Sequence, residues 1–560
     1  MNDQGQINLN WCLALLDGLV SAGVSEIVLS PGSRNTPLTL AAILHPQLTY
    51  HVIVDERSAA FFALGLARKS ENPVALGCTS GTAVANWMPG VVEANQQQIP
   101  LLLLSADRPW ELHQCSANQT IDQIKFFGQQ VRACHQLPLA EGEEKSLQRI
   151  MGLGRQMVRQ AMMPCPGPVH VNLPLREPLV AKVVPDGHKP VPVIPQRDGE
   201  VRLDADRVQK TASILSAKPG IIICGPGADS RAILELGDAL ACPVLADPLS
   251  NLRYCSATDA VVHYDLFLRH AQCADLVAEW VLYFGETPVS KPLQTYLHGQ
   301  TKARHLRVDK NAREMLQGEA ILEILVASDQ AFCSQMLQET LRPAASAWRQ
   351  QWQHFEQQAI TLLQQQKLPP EGQLIRQALQ GLPPQSNLFA GNSLTVRFMD
   401  TYSGRQEKNF SVFGNRGASG IDGNLSTLSG IASASPATEK VLGIMGDLSL
   451  FHDLNSLATA RNQDMILLLF NNHGGGIFDY LPQVSLPDYE ACWRTPVPLD
   501  HEHIAKAFDI AYVRVEALNE FEALFTKALQ SPGMQLIEIM VDSAESNRRH
   551  RTITDSWKEP

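Results

Sequence analysis

The stretch Val441-Leu442-Gly443-Ile444-Met445-Gly446-Asp447-Leu448 is an apolar run that ends in a carboxylate. Such a run predicts a buried parallel strand with Asp447 at its carboxyl end. A second apolar run, from Met465 to Phe470, is followed by Asn472 and Gly474. Because open α/β sheets bind ligands at the carboxyl ends of their strands, the two runs together predict a binding site at that edge.

The predicted site offers hard oxygen donors from Asp447, Asn472 and the carbonyl group of Gly474, which we expect to be free. These donors suit Mg²⁺, or Mn²⁺, with phosphate oxygens and water in the remaining coordination positions. A helix predicted to begin near Ser449 would direct its free N–H groups at the same phosphates. The residues alone leave open a plainer alternative, two unrelated strand ends followed by ordinary turn residues.

Composition restricts the class of protein. The chain has 560 residues, which at roughly 150 residues per domain predicts three or four domains. A hydrophobic fraction of 44% and a charged fraction of 18% are typical of a globular enzyme. The net charge of −11 argues against nucleic acid as the main partner. Small anionic substrates remain possible if cationic side chains cluster locally.

The cysteines and the N-terminus favour a cytoplasmic protein. The 11 cysteines are scattered and contain no CxxC pair, so neither a zinc ribbon nor a disulfide framework is predicted. The first residues lack a basic region followed by an apolar core, which is the pattern of a secretory signal. No apolar run reaches the roughly 18 residues that a membrane span requires.

Alternating helical and strand patterns predict three α/β units, each a doubly wound parallel sheet, at residues 1–180, 200–345 and 368–560. Strands are expected at residues 26–30, 52–54, 74–79, 100–105, 169–172, 220–224, 244–246, 280–284 and 305–308. A proline-rich linker is expected from Val180 to Arg197, and a solvated, glutamine-rich helix from Ala344 to Lys367. The basic tail from Asn547 to Arg551 is interpreted as a solvated terminus.

The loop Gly225-Pro226-Gly227 follows a predicted strand and could indicate a dinucleotide site. It lacks the third glycine of the dinucleotide fingerprint, and a proline separates the two that it has. A tight turn between strand and helix is therefore the favoured interpretation.

Seven segments, in order along nearly the whole chain, carry a resemblance to a known family. They are Ser30–Leu38, Asp55–Arg57, Thr79–Asn86, Ser105–Pro109, Gly391–Ser393, Asn415–Gly423 and Gly474–Phe478. As a set they resemble the 2-succinyl-5-enolpyruvyl-6-hydroxy-3-cyclohexene-1-carboxylate synthases, a family of the thiamine diphosphate-dependent superfamily that acts in menaquinone and phylloquinone biosynthesis.

The resemblance implies a reaction and its cofactors. The reaction is decarboxylation of 2-oxoglutarate on thiamine diphosphate, followed by 1,4-addition of the succinyl carbanion equivalent to isochorismate. Thiamine diphosphate with Mg²⁺ or Mn²⁺ is the implied cofactor set. A homodimer is the implied minimum, because in this superfamily each cofactor bridges two subunits, and a homotetramer is the alternative.

The resemblance also implies a role for Glu56. A carboxylic acid that hydrogen-bonds N1′ of the aminopyrimidine ring favours the imino tautomer that removes the C2 proton, and a partly apolar site with a raised pKa suits that task. The residues alone equally allow Glu56 to be a first-turn residue that complements the helix dipole.

Further site residues are implied in the same way. Gln119 and Ser393 would contact substrate near the reacting carbon, and Ile421 would support the bent shape of the cofactor. Other cofactor contacts are implied at Thr79, Ser80, Gly81, Asp447, Leu448, Ser449, Asn472 and Gly474. Substrate contacts are implied at Arg34, Arg108, Lys291, Arg397 and Arg416, with an apolar wall from Ile477, Phe478 and Leu481.

One departure and two rival functions remain. Some family members have a Lys-Arg pair in the middle domain, whereas here Pro292 follows Lys291, which leaves the identity of a second cation open. The nearest rival is an acetolactate synthase or another thiamine-dependent 2-oxo acid decarboxylase. The rival from another class is a nucleotide-binding regulatory protein that uses the Gly225 loop.

Overall fold

The structure is a computed structural model that describes residues 3–194, 199–255, 259–313 and 322–557. The chain divides into two compact units. The first compact unit contains residues up to 197 together with residues 415–436 and 449–463. The second compact unit contains residues 198–414, 437–448 and 464 onward.

The first compact unit is built on a six-stranded sheet with the order β2-β1-β3-β4-β6-β5, in which every pair is parallel. The order reverses between β1 and β3, as in a doubly wound sheet. The strands are β1 Glu26–Leu29, β2 Thr49–Val52, β3 Val74–Cys78, β4 Leu101–Asp107, β5 Ala133–Gln136 and β6 Val169–Pro174. The helices are α1 Gln4–Ser21, α2 Thr36–Leu44, α3 Glu56–Ser70, α4 Thr82–Asn86, α5 Met88–Gln97 and α6 Glu144–Met162.

The second compact unit contains two sheets. The first has the parallel order β11-β10-β9-β7-β8. Its strands are β7 Gly220–Cys224, β8 Val244–Ala246, β9 Trp280–Phe284, β10 Arg304–Val308 and β11 Leu322–Leu325. The helices that follow are α7 Ala205–Leu215, α8 Ala232–Leu240, α9 Tyr264–Phe267, α10 Lys291–Gly299, α11 Asp329–Gln338 and α12 Ser346–Gln365.

The third sheet repeats the topology of the first, with the parallel order β13-β12-β14-β15-β17-β16. Its strands are β12 Asn387–Ala390, β13 Ser411–Phe413, β14 Val441–Gly446, β15 Ile466–Asn471, β16 Ala511–Val515 and β17 Gln535–Met540. The helices of this part of the chain are α13 Pro370–Gly381, α14 Leu394–Tyr402, α15 Asn424–Ala434, α16 Asp447–His452, α17 Leu457–Ala460, α18 His501–Ala507, α19 Phe521–Gln530 and α20 Ser543–Asp555. Each of the three sheets lies within one of the predicted units.

The loop Gly225-Pro226-Gly227 is a tight turn, as favoured from the sequence. A Cβ atom on Gly225 would lie 1.7 Å from the carbonyl oxygen of Glu286. The backbone N–H of Glu286 donates to the carbonyl of Pro226 over 2.9 Å. The backbone of Glu286 therefore packs directly against this turn.

Three sequence expectations are wrong in detail. The expected strand at residues 52–54 ends at Val52, and Val54 is exposed. The glutamine-rich helix α12 is not solvated all round, because Trp348, Trp352 and Leu363 are buried in the hydrophobic core. The basic tail is not a solvated terminus, because it belongs to α20, where His550 accepts or donates a 2.7 Å hydrogen bond with the Tyr402 hydroxyl.

Helices α3 and α15 cross at unusually close range within the first compact unit. A Cβ atom on Gly65 of α3 would lie 2.1 Å from the carbonyl oxygen of Thr427. A Cβ atom on Gly430 of α15 would likewise lie 2.1 Å from the carbonyl oxygen of Phe62. Both contacts are with backbone, which cannot move aside as a side chain can, so only glycine fits at the two positions.

This crossing predicts that Gly430→Ala lowers the free energy of unfolding by about 1–3 kcal/mol, as overpacking typically does. Urea denaturation of the purified protein would measure the change. Gly152→Ala is the matched control, because Gly152 also lies inside a helix but its nearest outside atom would be a side-chain nitrogen at 3.8 Å. The control should be neutral or stabilised by up to about 1 kcal/mol, and equal effects of the two substitutions would contradict the crossing.

Candidate active site

Asp447 and Gly474 are joined at the carboxyl edge of the third sheet, within the second compact unit. Strand β14 ends at Gly446 and helix α16 begins at Asp447, two residues before the expected start. The buried Oδ2 of Asp447 accepts the backbone N–H of Gly474 over 2.8 Å. Burial raises the pKa of Asp447, and the N–H groups of Gly474 and Leu448 oppose that rise.

Asn472 supplies the strongest sign of an oxygen-donor site. Its Oδ1 atom is buried and has no hydrogen-bond partner among the described residues. A buried amide oxygen without a partner is costly, so such an atom calls for a ligand. Together with the Asp447 carboxylate, this donor set fits a hard divalent cation.

The expectation of a free carbonyl at Gly474 is wrong. The carbonyl oxygen of Gly474 accepts the backbone N–H of Gly476 over 2.8 Å, because the chain turns tightly there. A carbonyl oxygen has two lone pairs, so one remains for a cation.

Arg494 holds this loop in place, and sequence reasoning missed it. Gly474 has φ of +122°, and a Cβ atom on it would lie 2.2 Å from the carbonyl oxygen of Arg494. The buried guanidinium of Arg494 donates to the carbonyl of Asn472 and to the carboxylate of Asp479. The segment around Arg494 has no periodic pattern that would have revealed this role.

Ser449 of α16 belongs to the first compact unit and is hydrogen-bonded within that unit. Ser449 Oγ donates to the carbonyl of Ile421 over 2.8 Å, and Asn424 Nδ2 donates to Ser449 Oγ over 2.7 Å. The Ser449 hydroxyl is therefore engaged with protein groups. Ile421 is half-buried.

Glu56 is the first residue of α3, but it does not cap that helix. The carboxylate of Asp55 caps it by accepting the backbone N–H groups of Arg57 at 2.9 Å and Ser58 at 3.4 Å. Glu56 is half-buried, and its Oε2 accepts Asn86 Nδ2 over 3.3 Å. Because a neighbour performs the capping, the side chain of Glu56 is available for another task, and Asn86 is a partner that the sequence did not indicate.

Ser80, Arg108 and Gln119 converge in the first compact unit. The guanidinium of Arg108 donates to Ser80 Oγ and, over 3.0 Å, to the carbonyl of Gln119. Gln119 Nε2 donates to the carbonyl of Ser80 over 2.9 Å. Gly81 has φ of +86° at this turn, and Thr79 precedes it as a buried residue. The structure thus brings together three residues, with Ser80 lying 28 positions from Arg108 and 39 from Gln119 in the sequence.

Arg34 is buried near Arg108 and already has a carboxylate partner. Its Nη2 atom donates to Glu177 Oε1 over 2.8 Å, and its Nη1 atom donates to the carbonyl of Leu175 over 2.9 Å. The side chain of Glu177 is 70% exposed, so solvent or a ligand can reach it. Burial and the positive charge of Arg34 lower the pKa of Arg108.

The remaining predicted cations differ in their exposure and local contacts. Arg397 is exposed on α14, and its Nη1 donates over 2.6 Å to the carbonyl of Ser393, whose φ is +69°. Lys291 is exposed at the first position of α10, where Ser290 caps the helix. Arg416 is half-buried in the first compact unit.

The predicted apolar wall lies on and beside a short 3₁₀ helix, Gly476–Tyr480. Ile477 and Phe478 are half-buried, and Leu481 is 37% exposed. These side chains present a partly exposed apolar surface rather than a closed core.

Three comparisons define the class of protein. The thiamine pyrophosphate enzyme N-terminal binding domain matches residues 12–126, the middle domain of thiamine pyrophosphate enzymes matches residues 199–390, and the C-terminal binding domain matches residues 394–539. Benzoylformate decarboxylase from Polynucleobacter necessarius has a similar fold, with a TM-score of 0.69 and 18% identity over 97% of this chain and 99% of that one. The chain is a thiamine pyrophosphate enzyme, the cofactor being the thiamine diphosphate named above.

Closer relatives define the family. The chain is 39% identical to the 2-succinyl-5-enolpyruvyl-6-hydroxy-3-cyclohexene-1-carboxylate synthase of Dechloromonas aromatica, covering 96% of this chain and 99% of the relative. It is 38% identical to the synthase of the same name from Listeria monocytogenes, covering 99% and 98%. The chain belongs to this synthase family.

The oxygen-donor set predicts that Asp447→Asn greatly weakens metal-dependent binding of thiamine diphosphate. An amide keeps the shape of the carboxylate but loses the charge that a divalent cation requires. Calorimetry with thiamine diphosphate at fixed Mg²⁺ would measure the loss. Asp186→Asn, at an exposed position, is the control and should bind normally, and unchanged affinity in Asp447→Asn would remove Asp447 from the metal site.

Proposed function

We propose that this protein decarboxylates 2-oxoglutarate and adds the remaining four-carbon unit to isochorismate in the 1,4 sense, within menaquinone or phylloquinone biosynthesis. The observation that carries the proposal is similarity over nearly the full chain to synthases of one name. The site residues support it, because the predicted set contains both oxygen donors for a cation and cationic side chains for acidic substrates.

The third sheet offers the residues that would hold the metal and the diphosphate. Asp447, Asn472 and the carbonyl of Gly474 would coordinate Mg²⁺ or Mn²⁺, and the N–H groups of Leu448 and Ser449 would face phosphate oxygens. Thiamine diphosphate, when bound, supplies a nucleophilic carbon that this chain lacks. The buried, unpartnered Oδ1 of Asn472 supports this assignment.

Glu56 would hold a proton at the pyrimidine ring of the cofactor. Its carboxylic acid would hydrogen-bond N1′, while Asn86 keeps the side chain oriented through the 3.3 Å contact. Capping by Asp55 supports this role, since it relieves Glu56 of binding to the first-turn N–H groups.

Glu56→Gln should reduce kcat by about 10²–10⁴-fold, because an amide cannot supply the acidic proton. The measurement is steady-state release of CO₂ from 2-oxoglutarate in the presence of isochorismate, with circular dichroism to check the fold. Glu71→Gln, at the other end of α3 and exposed, should keep normal activity. Near-normal turnover of Glu56→Gln would exclude this role for Glu56.

Each substrate carries two carboxylates, so a chain with a net charge of −11 must concentrate positive charge locally. Arg34 and Arg108 form such a concentration in the first compact unit, and Lys291, Arg397 and Arg416 are further candidates. Gln119 and Ser393 would hydrogen-bond substrate, and Ile477, Phe478 and Leu481 would pack against the ring of isochorismate. Ile421 would support the bent cofactor, and Thr79, Ser80 and Gly81 would contact it.

Arg397→Ala should lower kcat/KM by an amount equivalent to about 2–5 kcal/mol if the substrate carboxylate becomes buried against this side chain. Thiamine diphosphate affinity should not change, because the metal and diphosphate are assigned to other residues. Arg461→Ala, another exposed arginine, is the control. Unchanged kcat/KM for both substrates in Arg397→Ala would show that Arg397 is an ordinary surface residue without a role in substrate binding.

The quaternary structure and the location are also proposed. Glu56 and Asp447 belong to different compact units, and we expect a homodimer, or a homotetramer, in which each cofactor contacts two subunits. Seven of the 11 cysteines are buried and all are free thiols, which supports a cytoplasmic location. Among the described residues, no helix combines the length and the apolar character needed to cross a membrane.

A single assay separates this function from its rivals. Release of CO₂ from 2-oxoglutarate should depend on thiamine diphosphate and Mg²⁺, and isochorismate should accelerate it. Activity with pyruvate and no dependence on isochorismate would instead indicate an acetolactate synthase or a simple 2-oxo acid decarboxylase. Binding of a dinucleotide without CO₂ release would indicate the regulatory alternative.

A further inference from the structure

Three potential metal ligands meet in the first compact unit, on a different set of residues from the candidate active site. Asp17 lies in α1, His45 directly follows α2, and His188 lies in the linker after the first sheet. One side-chain atom from each lies within 4.8 Å of the others. Asp17 and His45 are buried, and the side chain of His188 is 24% exposed.

The distances within the cluster approach those of a coordination sphere. Asp17 Oδ1 is 2.7 Å from His188 Nε2 and 3.3 Å from His45 Nε2. Ligands about 2.0–2.1 Å from a tetrahedral zinc ion are roughly 3.3 Å apart. The pair formed by Asp17 and His45 already has that spacing, the pair formed by Asp17 and His188 is shorter, and the two imidazole nitrogens lie within 4.8 Å of each other.

The buried Nε2 of His45 lies 3.3 Å from the Asp17 carboxylate without forming a hydrogen bond with it. The side chain of His45 is 0% exposed, and its Nε2 makes no hydrogen bond of acceptable geometry within the described part of the chain. A buried ring nitrogen in that condition is destabilising unless something else occupies the space beside it. It faces the carboxylate that also contacts His188.

The linker is held in position around His188 by contacts that do not involve its imidazole. The backbone N–H of His188 donates to the carbonyl of Leu44 over 3.0 Å. The side chain of Gln47 forms two hydrogen bonds with the backbone of Val191, at 2.7 and 3.1 Å. The N–H of Ile194 donates to the carbonyl of Ser21 over 2.7 Å. The ligand from the linker is thus presented to the other two by a fixed backbone.

We propose that Asp17, His45 and His188 bind one divalent transition-metal ion, with zinc as the preferred probe. Two imidazole nitrogens and one carboxylate oxygen suit zinc, whereas Mg²⁺ prefers oxygen donors only. Because the side chain of His188 is 24% exposed, we assign the fourth position to water from solvent. The ion would tie the linker to α1 and α2, and nothing in this assignment depends on the proposed reaction.

Binding requires a change in the position of a proton. The backbone N–H of Gln47 points at His45 Nδ1 over 3.3 Å, which places the imidazole proton on Nε2. A metal at Nε2 displaces that proton to Nδ1, and the long Gln47 contact is given up. This tautomer shift releases no proton, but free protons compete with zinc for the same imidazole nitrogens and carboxylate oxygen, so zinc affinity should fall as the pH is lowered.

The test is zinc titration of the full-length holoenzyme, stripped with a chelator and then supplied with thiamine diphosphate and excess Mg²⁺ to keep zinc out of the Asp447 site. We expect one zinc per chain, bound at least tenfold more weakly by His188→Ala and by Asp17→Asn. His503→Ala is the matched control, because His503 forms an exposed 2.7 Å pair with Asp500, and it should bind zinc as the unaltered protein does. Asp447→Asn should also retain this zinc, which separates the proposal from the proposed function.

Cobalt provides a second measurement. Substitution of Co²⁺ should give visible absorption bands typical of four-coordinate nitrogen and oxygen ligation, and His188→Ala should abolish them. Should Asp17→Asn fail to fold, His188→Ala still decides, since His188 is partly exposed and lies in the linker. Equal zinc affinity in the unaltered protein and in His188→Ala, or no zinc bound above the level of a triple variant of the three ligands, would overturn the proposal.

Discussion

The close crossing of α3 and α15 is the constraint on which the first compact unit depends. At Gly65 and Gly430 the two backbones approach so closely that a methyl group would meet a carbonyl oxygen at 2.1 Å. Helix α3 begins at Glu56, and α15 begins three residues after Ile421. Hydrogen bonds from Arg57 to the carbonyl of His452, at 2.7 Å, and from Asn455 to Asp55, at 3.0 Å, extend the same packing to the start of α3. The crossing therefore restricts the spacing between Glu56, the predicted acid, and Ile421, the predicted support of the cofactor.

A buried carboxylate holds the loop between Arg416 and Ile421. Glu93 of α5 accepts the backbone N–H groups of Gly417 at 2.8 Å and Ala418 at 2.6 Å. Burial raises the pKa of Glu93, while these N–H groups and the charge of Arg68 oppose the rise. A charge-assisted bond to backbone restricts the loop more strongly than a neutral contact would. The Glu93 carboxylate therefore positions the loop that carries Arg416 and Ile421 by binding its backbone, without using the side chains of those two residues.

The parts of the fold that follow from local pattern were predictable, and those that depend on distant contacts were not. Apolar runs followed by Asp447 and Asn472 indicate the strands and the edge of the sheet, because a buried strand requires consecutive apolar residues. Arg494 could not be found in this way, since its role comes from folding back on a loop 20 residues earlier in an aperiodic segment. The contacts of Asn86 with Glu56 and of Glu177 with Arg34 also join distant parts of the sequence, so local pattern could not predict them. The buried face of the glutamine-rich helix was missed for the same reason.

Unfavourable local features concentrate at the residues assigned to substrate. Arg34 and Arg108 are close enough for the charge of Arg34 to lower the pKa of Arg108, and the carboxylates of Asp107 and Glu177 oppose that effect. Ser393 adopts a φ of +69°, which a non-glycine residue rarely does, at the position that anchors Arg397. Strain and like-charge repulsion persist where surrounding structure imposes them, and they cluster at functional sites. Under the proposed assignment, acidic substrates would reduce the repulsion that Asp107 and Glu177 leave uncompensated, so this cluster would favour dianions over neutral molecules of the same shape.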